Sequence, residues 1–486
     1  MIDRSRIICH TRVFPVLRRP AFSRGVHIWN PSVHASFRAA FSSTTPERNN
    51  AKVRPLTYNP ISDVESLENY VPGGYHPIMI GDMLRDRYRV VDKLGFGGYS
   101  TVWLAKDTQL KCYVAVKVGT ANSPLRETAI LREISRPVSV PPPASQGRSS
   151  IPCPLDEFEL KGPNGTHPCY TMTLAECDLR TVSYTRLFPI NVARALSGEV
   201  VLAVAYLHAR GYAHGDIHPK NILTRSQSRL HELSIAQLYQ QYGEPETIPV
   251  KRRDGKPLPP NVPSIVVAPL NLANGKRAEE FTLGADTRIL LSDFGEAYTP
   301  NSASPRLGRD CHTPLGCRPP EARFEPDSPL SYQSDIWSLG VTIWEILGMK
   351  GLFSNEFTTL DEVTAQQVDV LGAMMMPVGW WERWEERARF FDEGRRPLGD
   401  REVWPTLEEA FEEFVQKYRR RRPDVGVFGE DETVVILDLM RRMLAFRPEE
   451  RPSAEEVLRS EWMTKWVLPD VERSRCASEA AEGTSY

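Results

Sequence analysis

The sequence predicts an α+β fold in which a small β-rich lobe precedes a larger α-rich lobe. Three observations carry that prediction. Between Tyr88 and Gly119 three stretches rich in β-branched and aromatic residues are separated by glycines and turn residues. After Glu176 the apolar pattern shifts to helical spacing, with Leu196, Val200, Val204 and Leu207 on one face. Further on, "DIWSLGVTIWEILG" (335–348) is apolar nearly all round, as a buried central helix would be.

Taken in order, the elements begin after an unusual start. Up to Thr45 the only acid is Asp3, against seven arginines with interspersed serines. That is the composition of a mitochondrial transit peptide, with "RAAFSS" (38–43) as a processing site. The alternative is a basic tail that is never imported, leaving the protein cytoplasmic or nuclear. Residues 46–87 have few periodic apolar positions and read as an extended lead-in. Strands follow at "YRVVDKLG", "STVWLAKD" and "CYVAVKVG". "SPLRETAILREI" reads as a helix with Ser123 as N-cap and Pro124 at its first position. A Pro/Ser-rich loop (136–150) leads to two further strands near 155–160 and 169–174. Amphipathic helices close the chain at "TVVILDLMRRML" and "SAEEVLRSEWM".

Composition excludes several classes. Net charge is −2, with 41% hydrophobic and 25% charged residues, which favours neither nucleic acid nor a membrane surface. Eight scattered cysteines without a CxxC pair argue for reduced thiols. No apolar run approaches the ~18 residues needed to span a bilayer.

The chemistry is concentrated in four stretches. "GFGGYSTV" (95–102) lies between two strands, where glycines let backbone N–H groups close over phosphates. "VAVK" puts Lys117 on the third strand, within reach of α- and β-phosphates. Glu127, opening the following helix, is its expected partner, and Glu133 fits less well. "HGDIHPKNIL" (214–223) places Asp216 five residues before Asn221, and "LLSDFGEA" (290–297) supplies Asp293 with Gly295 for the turn. Asp216 is the candidate base that orients a hydroxyl. Asn221 and Asp293 offer oxygen ligands for Mg²⁺. Each residue alone would pass for a turn or a surface residue; their order and local context set them apart. In the fold these stretches imply, Glu321 with Arg451 would form a buried ion pair, and Asp335 would brace the 214–223 loop through backbone N–H groups.

Together these residues resemble the eukaryotic protein kinases over roughly 88–465. Within them, "GGYHPIMIGDMLRDRYRVVDKLGFGGYSTVWLAKD" (73–107) is similar to the start of the serine/arginine-protein kinases, with Ser100 in place of a third glycine. Arg318, three before Glu321, matches the wider group. The resemblance implies a bilobal protein-kinase fold: an N-lobe (88–176), a C-lobe (177–465) with an insertion at about 224–288, and a C-terminal tail (466–486). It implies transfer of the γ-phosphoryl group of ATP, with Mg²⁺, to Ser or Thr of a protein substrate by a monomer that binds no nucleic acid directly. Catalytic roles would fall to Asp216, Lys117 and Glu127. Nucleotide contacts would come from Leu94, Gly95, Phe96, Gly97, Gly98, Tyr99, Ser100, Thr101, Val102, Lys117 and Leu174.

Departures from the pattern are specific. Gly215 replaces the arginine before the catalytic Asp, which points to activity independent of activation-loop phosphorylation. His218 replaces the usual lysine, and Lys220, four after Asp216, is the favoured substitute cation. Thr313 lies eight before Glu321 where seven is usual. The loop also resembles that of aminoglycoside and choline kinases, so a small-molecule kinase is one alternative; a pseudokinase scaffold is another. Arg/Ser-rich substrates would need acids such as Glu408, Glu409, Glu412 and Glu413, whereas "RRRR" (419–422) would oppose them.

Overall fold

The computed structural model describes residues 56–483 apart from 122, 124–125, 185, 226–227, 274 and 355–357. The arginine-rich stretch 1–45 and Pro124 therefore lie outside the described residues. Six antiparallel strands build the small lobe: β1 (Met83–Leu84), β2 (Tyr88–Gly97), β3 (Ser100–Asp107), β4 (Tyr113–Gly119), β5 (Asp156–Gly162) and β6 (Gly165–Met172). Their order is β1-β2-β3-β4-β6-β5. Tyr88, Val90, Trp103, Val114, Val116 and Val118 alternate onto one face and make that lobe's core. Two irregularities in the β2–β3 register, at Val90/Asp92 and Lys93/Gly95, bend β2 where it enters the glycine stretch. Helix α1 (Arg126–Ser135) crosses between β4 and β5.

β7 (Ala175–Asp178) leads into the large lobe, whose core is dominated by α2 (Ile190–Ala209). This helix is long and apolar enough by composition to cross a membrane, although Arg194 and Glu199 interrupt its apolar run. Its apolar window is 83% buried inside the protein, which accounts for the composition. β8 (Ile222–Arg225) pairs with β7.

The insertion that follows is structured and leaves the large lobe. α3 (Ile235–Tyr242) starts at a Ser234–Gln237 capping box. Its Leu238 is fully buried with Val91, Leu104 and Tyr113 on the outer face of the small lobe. The Tyr239 hydroxyl donates to Val91 O at 2.8 Å. β9 (Thr247–Pro249) and β10 (Ile265–Val267) form a hairpin, and Val250, Val262 and Val266 share a small core with Tyr58, Leu67, Tyr70 and Tyr75. The stretch read as an extended lead-in is thus packed, because the insertion supplies the apolar partners its own sequence lacks. β11 (Ile289–Leu291) returns to pair with β8.

Helix α4 (Tyr332–Leu347) is buried from Ser334 to Leu347. Residues 466–486, expected as a tail, include α5 (Leu468–Gly483). A Cβ at Gly198 would overlap Val471 Cγ2, so glycine lets α5 lie close on α2. Arg475 then reaches Glu199 at 2.8 Å. The seven cysteines among the described residues are free.

Candidate active site

Three residues far apart in sequence meet where the lobes face each other. Lys117 stands on β4 opposite Val102. Its Nζ lies 2.8 Å from Glu127 Oε1 in the first turn of α1, and 3.1 Å from Asp293 Oδ1. Burial pulls the Lys117 pKa down, but the Asp293 and Glu127 carboxylates outweigh it and hold the ammonium well above its usual value. The same Lys117 charge depresses Asp293. Glu127 also accepts from Phe294 N at 3.1 Å, which ties α1 to the segment after β11. Glu133 instead pairs with Arg136 on the surface.

Asp293 follows β11 in the left-handed region, with φ 63°. For a residue with a Cβ this costs about 1–3 kcal/mol. The turn aims its carboxylate at Lys117 while leaving half of the side chain open to the cleft.

The stretch 214–221 is held from below. Buried Asp335 accepts from His214 N at 2.7 Å, Gly215 N at 2.9 Å and His208 Nε2 at 2.9 Å. Burial opposes its ionisation, yet the hydrogen bond from His208 and the charges around it keep the carboxyl below the usual range. Asn221 Nδ2 donates to Asp216 O at 2.9 Å and to Asp216 Oδ2 at 3.1 Å. That orientation leaves the Asn221 amide oxygen for a cation. Asp216 Oδ1 is buried with no hydrogen-bond partner, a costly condition unless a substrate proton satisfies it. His218 Nε2 stands 3.5 Å from Asp216 Oδ2, whereas Lys220 is exposed on the adjoining 3₁₀ turn. The geometry therefore sets His218 beside the carboxylate.

Gly95 to Val102 form the tip of the β2–β3 hairpin, with Gly97 facing Ser100. A Cβ built at Gly95, Gly97 or Gly98 would meet nothing within 4 Å, so the loop has open space beside it for a phosphate chain. Leu94 packs near its base. Leu174 is buried in the same cluster as Leu272 of the insertion, so the insertion backs the junction of the two lobes.

Sequence reasoning did not find the contacts that order the segment after Asp293. Arg306 pairs with Glu296 and donates from Nε to Asp310 O at 2.9 Å. His312 Nδ1 lies 3.0 Å from Glu296 Oε1. No periodicity links these residues, so no sequence signal could have paired them. Thr313, despite its shifted spacing, donates from Oγ1 to Gly215 O at 2.8 Å. Gly215 has φ 79°, and a Cβ there would stand 2.8 Å from Glu296 O. An arginine would not fit this backbone.

The protein kinase domain family matches residues 88–248 and 279–463. The chain belongs to that family. Its break, 249–278, falls inside the insertion. A serine/threonine protein kinase of Aspergillus fumigatus is 28% identical over 84% of this chain and 94% of its own length. SRSF protein kinase 3 of Homo sapiens is 36% identical over 33% of this chain and 29% of that protein. Protein kinase dsk1 of Schizosaccharomyces pombe is 36% identical over 33% and 30%. A solved kinase domain superposes with a TM-score of 0.51 at 19% identity, covering 79% of this chain and 98% of its own, which establishes the fold. As a kinase, the chain takes ATP as a substrate and protein as the phosphoryl acceptor.

Proposed function

We propose that this kinase transfers the γ-phosphoryl group of ATP to serine or threonine hydroxyls of Arg/Ser-rich proteins. The observation that carries the reading of an active enzyme is the assembled Glu127–Lys117–Asp293 contact, with Asp216 Oδ1 left unpaired beside it. Lys117 would hold the α- and β-phosphates, and Glu127 would hold Lys117. Asp216 would accept the hydroxyl proton as the acceptor oxygen attacks. The oxygen donors of Asn221 and Asp293 fit Mg²⁺, a hard cation that would neutralise phosphate charge when bound. The hydrogen bond from Thr313 to the catalytic loop supports hydroxyl positioning of the serine/threonine type.

Two further features support the reading. The Arg306–Glu296–His312 cluster orders the segment after Asp293 without a phosphate, which suits the loss of arginine at Gly215. The named SRSF kinases among the relatives suggest the substrate class. The four acids considered for that substrate do not help, because Glu408, Glu412 and Glu413 pair with Arg441, Arg420 and Lys417, and Glu409 caps its helix at Thr406. Of the "RRRR" run, Arg419 is fully buried and donates to backbone carbonyls, so it opposes no ligand.

The test is Asp216→Asn, assayed with an Arg/Ser peptide and with an amino-alcohol panel. The expected outcome is a kcat lower by about 10²-fold or more on the peptide, with ATP binding and thermal stability kept. Full peptide activity would remove Asp216 from this role, and wild-type turnover confined to amino-alcohols would make the protein a small-molecule kinase.

A further inference from the structure

The lead-in ahead of the matched domain touches the nucleotide loop. Tyr75, almost fully buried, donates its hydroxyl to Gly97 O at 2.7 Å. Gly97 ends β2 and faces Ser100 across the hairpin tip. A second tie runs through the next residue back, since Ala121 N donates to Gly74 O at 3.1 Å. Beside it, Thr120 N donates to Tyr99 O at 2.8 Å. One side of the tip, Gly97, is thus held by the lead-in itself, and the other, Tyr99, by Thr120, whose neighbour Ala121 is tied to Gly74.

That corner is itself fixed. Asn164 Nδ2 donates to Tyr75 O at 2.8 Å, and Tyr75 N donates to Asn69 O at 3.1 Å. The ring packs on Tyr70 with centroids 5.5 Å apart. Glu65 accepts from the Tyr70 hydroxyl and from the buried Lys93 ammonium on the strand that enters the loop. Burial raises the Tyr75 pKa, so its hydroxyl remains a donor. The glycines carry no side chains to anchor the loop from its open side, and ordering it in advance lowers the entropic cost of binding.

We propose that Tyr75 is a positioning residue for ATP, whose hydroxyl holds the glycine loop at Gly97 over the phosphates. The inference rests on the kinase reading above. Its test is Tyr75→Phe in the full chain, which removes one oxygen and keeps the ring packing. Direct titration would give the Kd for ATP with Mg²⁺ and for adenosine; an Arg/Ser peptide assay would give KM for ATP and kcat. ATP Kd and KM should rise together by about fivefold, the effect of one hydrogen bond of about 1 kcal/mol. Adenosine, which has no phosphates, should bind as before, and kcat at saturating ATP should be retained. Equal weakening of ATP and adenosine would make Tyr75 a structural residue only, and unchanged ATP affinity would show that the loop ignores the contact. Either result overturns the proposal. A wild-type chain that binds neither nucleotide would instead refute the kinase reading itself.

Discussion

Asp92 is buried in β2, accepts from Lys93 N at 2.8 Å, and meets no ion-pair partner among the described residues. Burial raises its pKa to about 6. The folded-state value lies above that of an unfolded chain, so the folded protein is penalised wherever this carboxyl must ionise. The penalty is complete above the folded pKa and vanishes below the unfolded one, near pH ~4. Asp92→Asn keeps the acceptor for Lys93 N and should stabilise the protein by about 3 kcal/mol at pH 7. The gain should fade as the pH falls from ~6 to ~4, followed by denaturant unfolding across that range. A gain independent of pH would show that Asp92 is not the titrating group. At the catalytic loop, His218→Ala is expected to lower kcat by about tenfold with KM for ATP little changed. The expectation follows from the 3.5 Å approach of His218 to Asp216. Steady-state kinetics of the variant would check it, and an unchanged kcat would remove His218 from the reaction.

Between elements, the contact that anchors the activation segment is the Glu321–Arg451 pair. Both side chains are buried, with Arg451 Nη2 2.7 Å from Glu321 Oε2 and Nη1 2.8 Å from Oε1. Arg451 also donates to Ala445 O, Phe446 O and Gln333 O, so one side chain joins three segments. Arg451→Ala would leave a buried carboxylate unpaired and should destabilise by about 3–5 kcal/mol. Chemical denaturation would measure it, and a loss below 1 kcal/mol would mean that water reaches Glu321. This pair was legible from "RPPE" and "EERPSAEEV", because both ends carry local motifs. The docking of α3 on the small lobe was not, since Leu238 and Leu104 share no pattern and meet only through the path of the insertion.

For the whole molecule, residues 1–45 lie ahead of the described fold, and their removal should leave peptide phosphorylation and melting temperature unchanged. A fluorescent fusion should lose mitochondrial signal on the same truncation if their composition directs import. An unchanged distribution would mark them as a basic tail. The sequence by itself determined the order of the main strands and helices, located the glycine loop, and singled out Lys117, Glu127, Asp216, Asn221 and Asp293 as candidates. Each of these is written in a short window, as an alternation, a helical period or a fixed spacing. Only the tertiary structure decided that the lead-in is packed, that the insertion returns to the small lobe, and that α5 docks on α2. It also decided that Gly215 must be glycine, that Arg306 pairs with Glu296, and that Tyr75 reaches Gly97. These contacts join residues with no shared periodicity, and their partners are selected by where the folded backbone brings them.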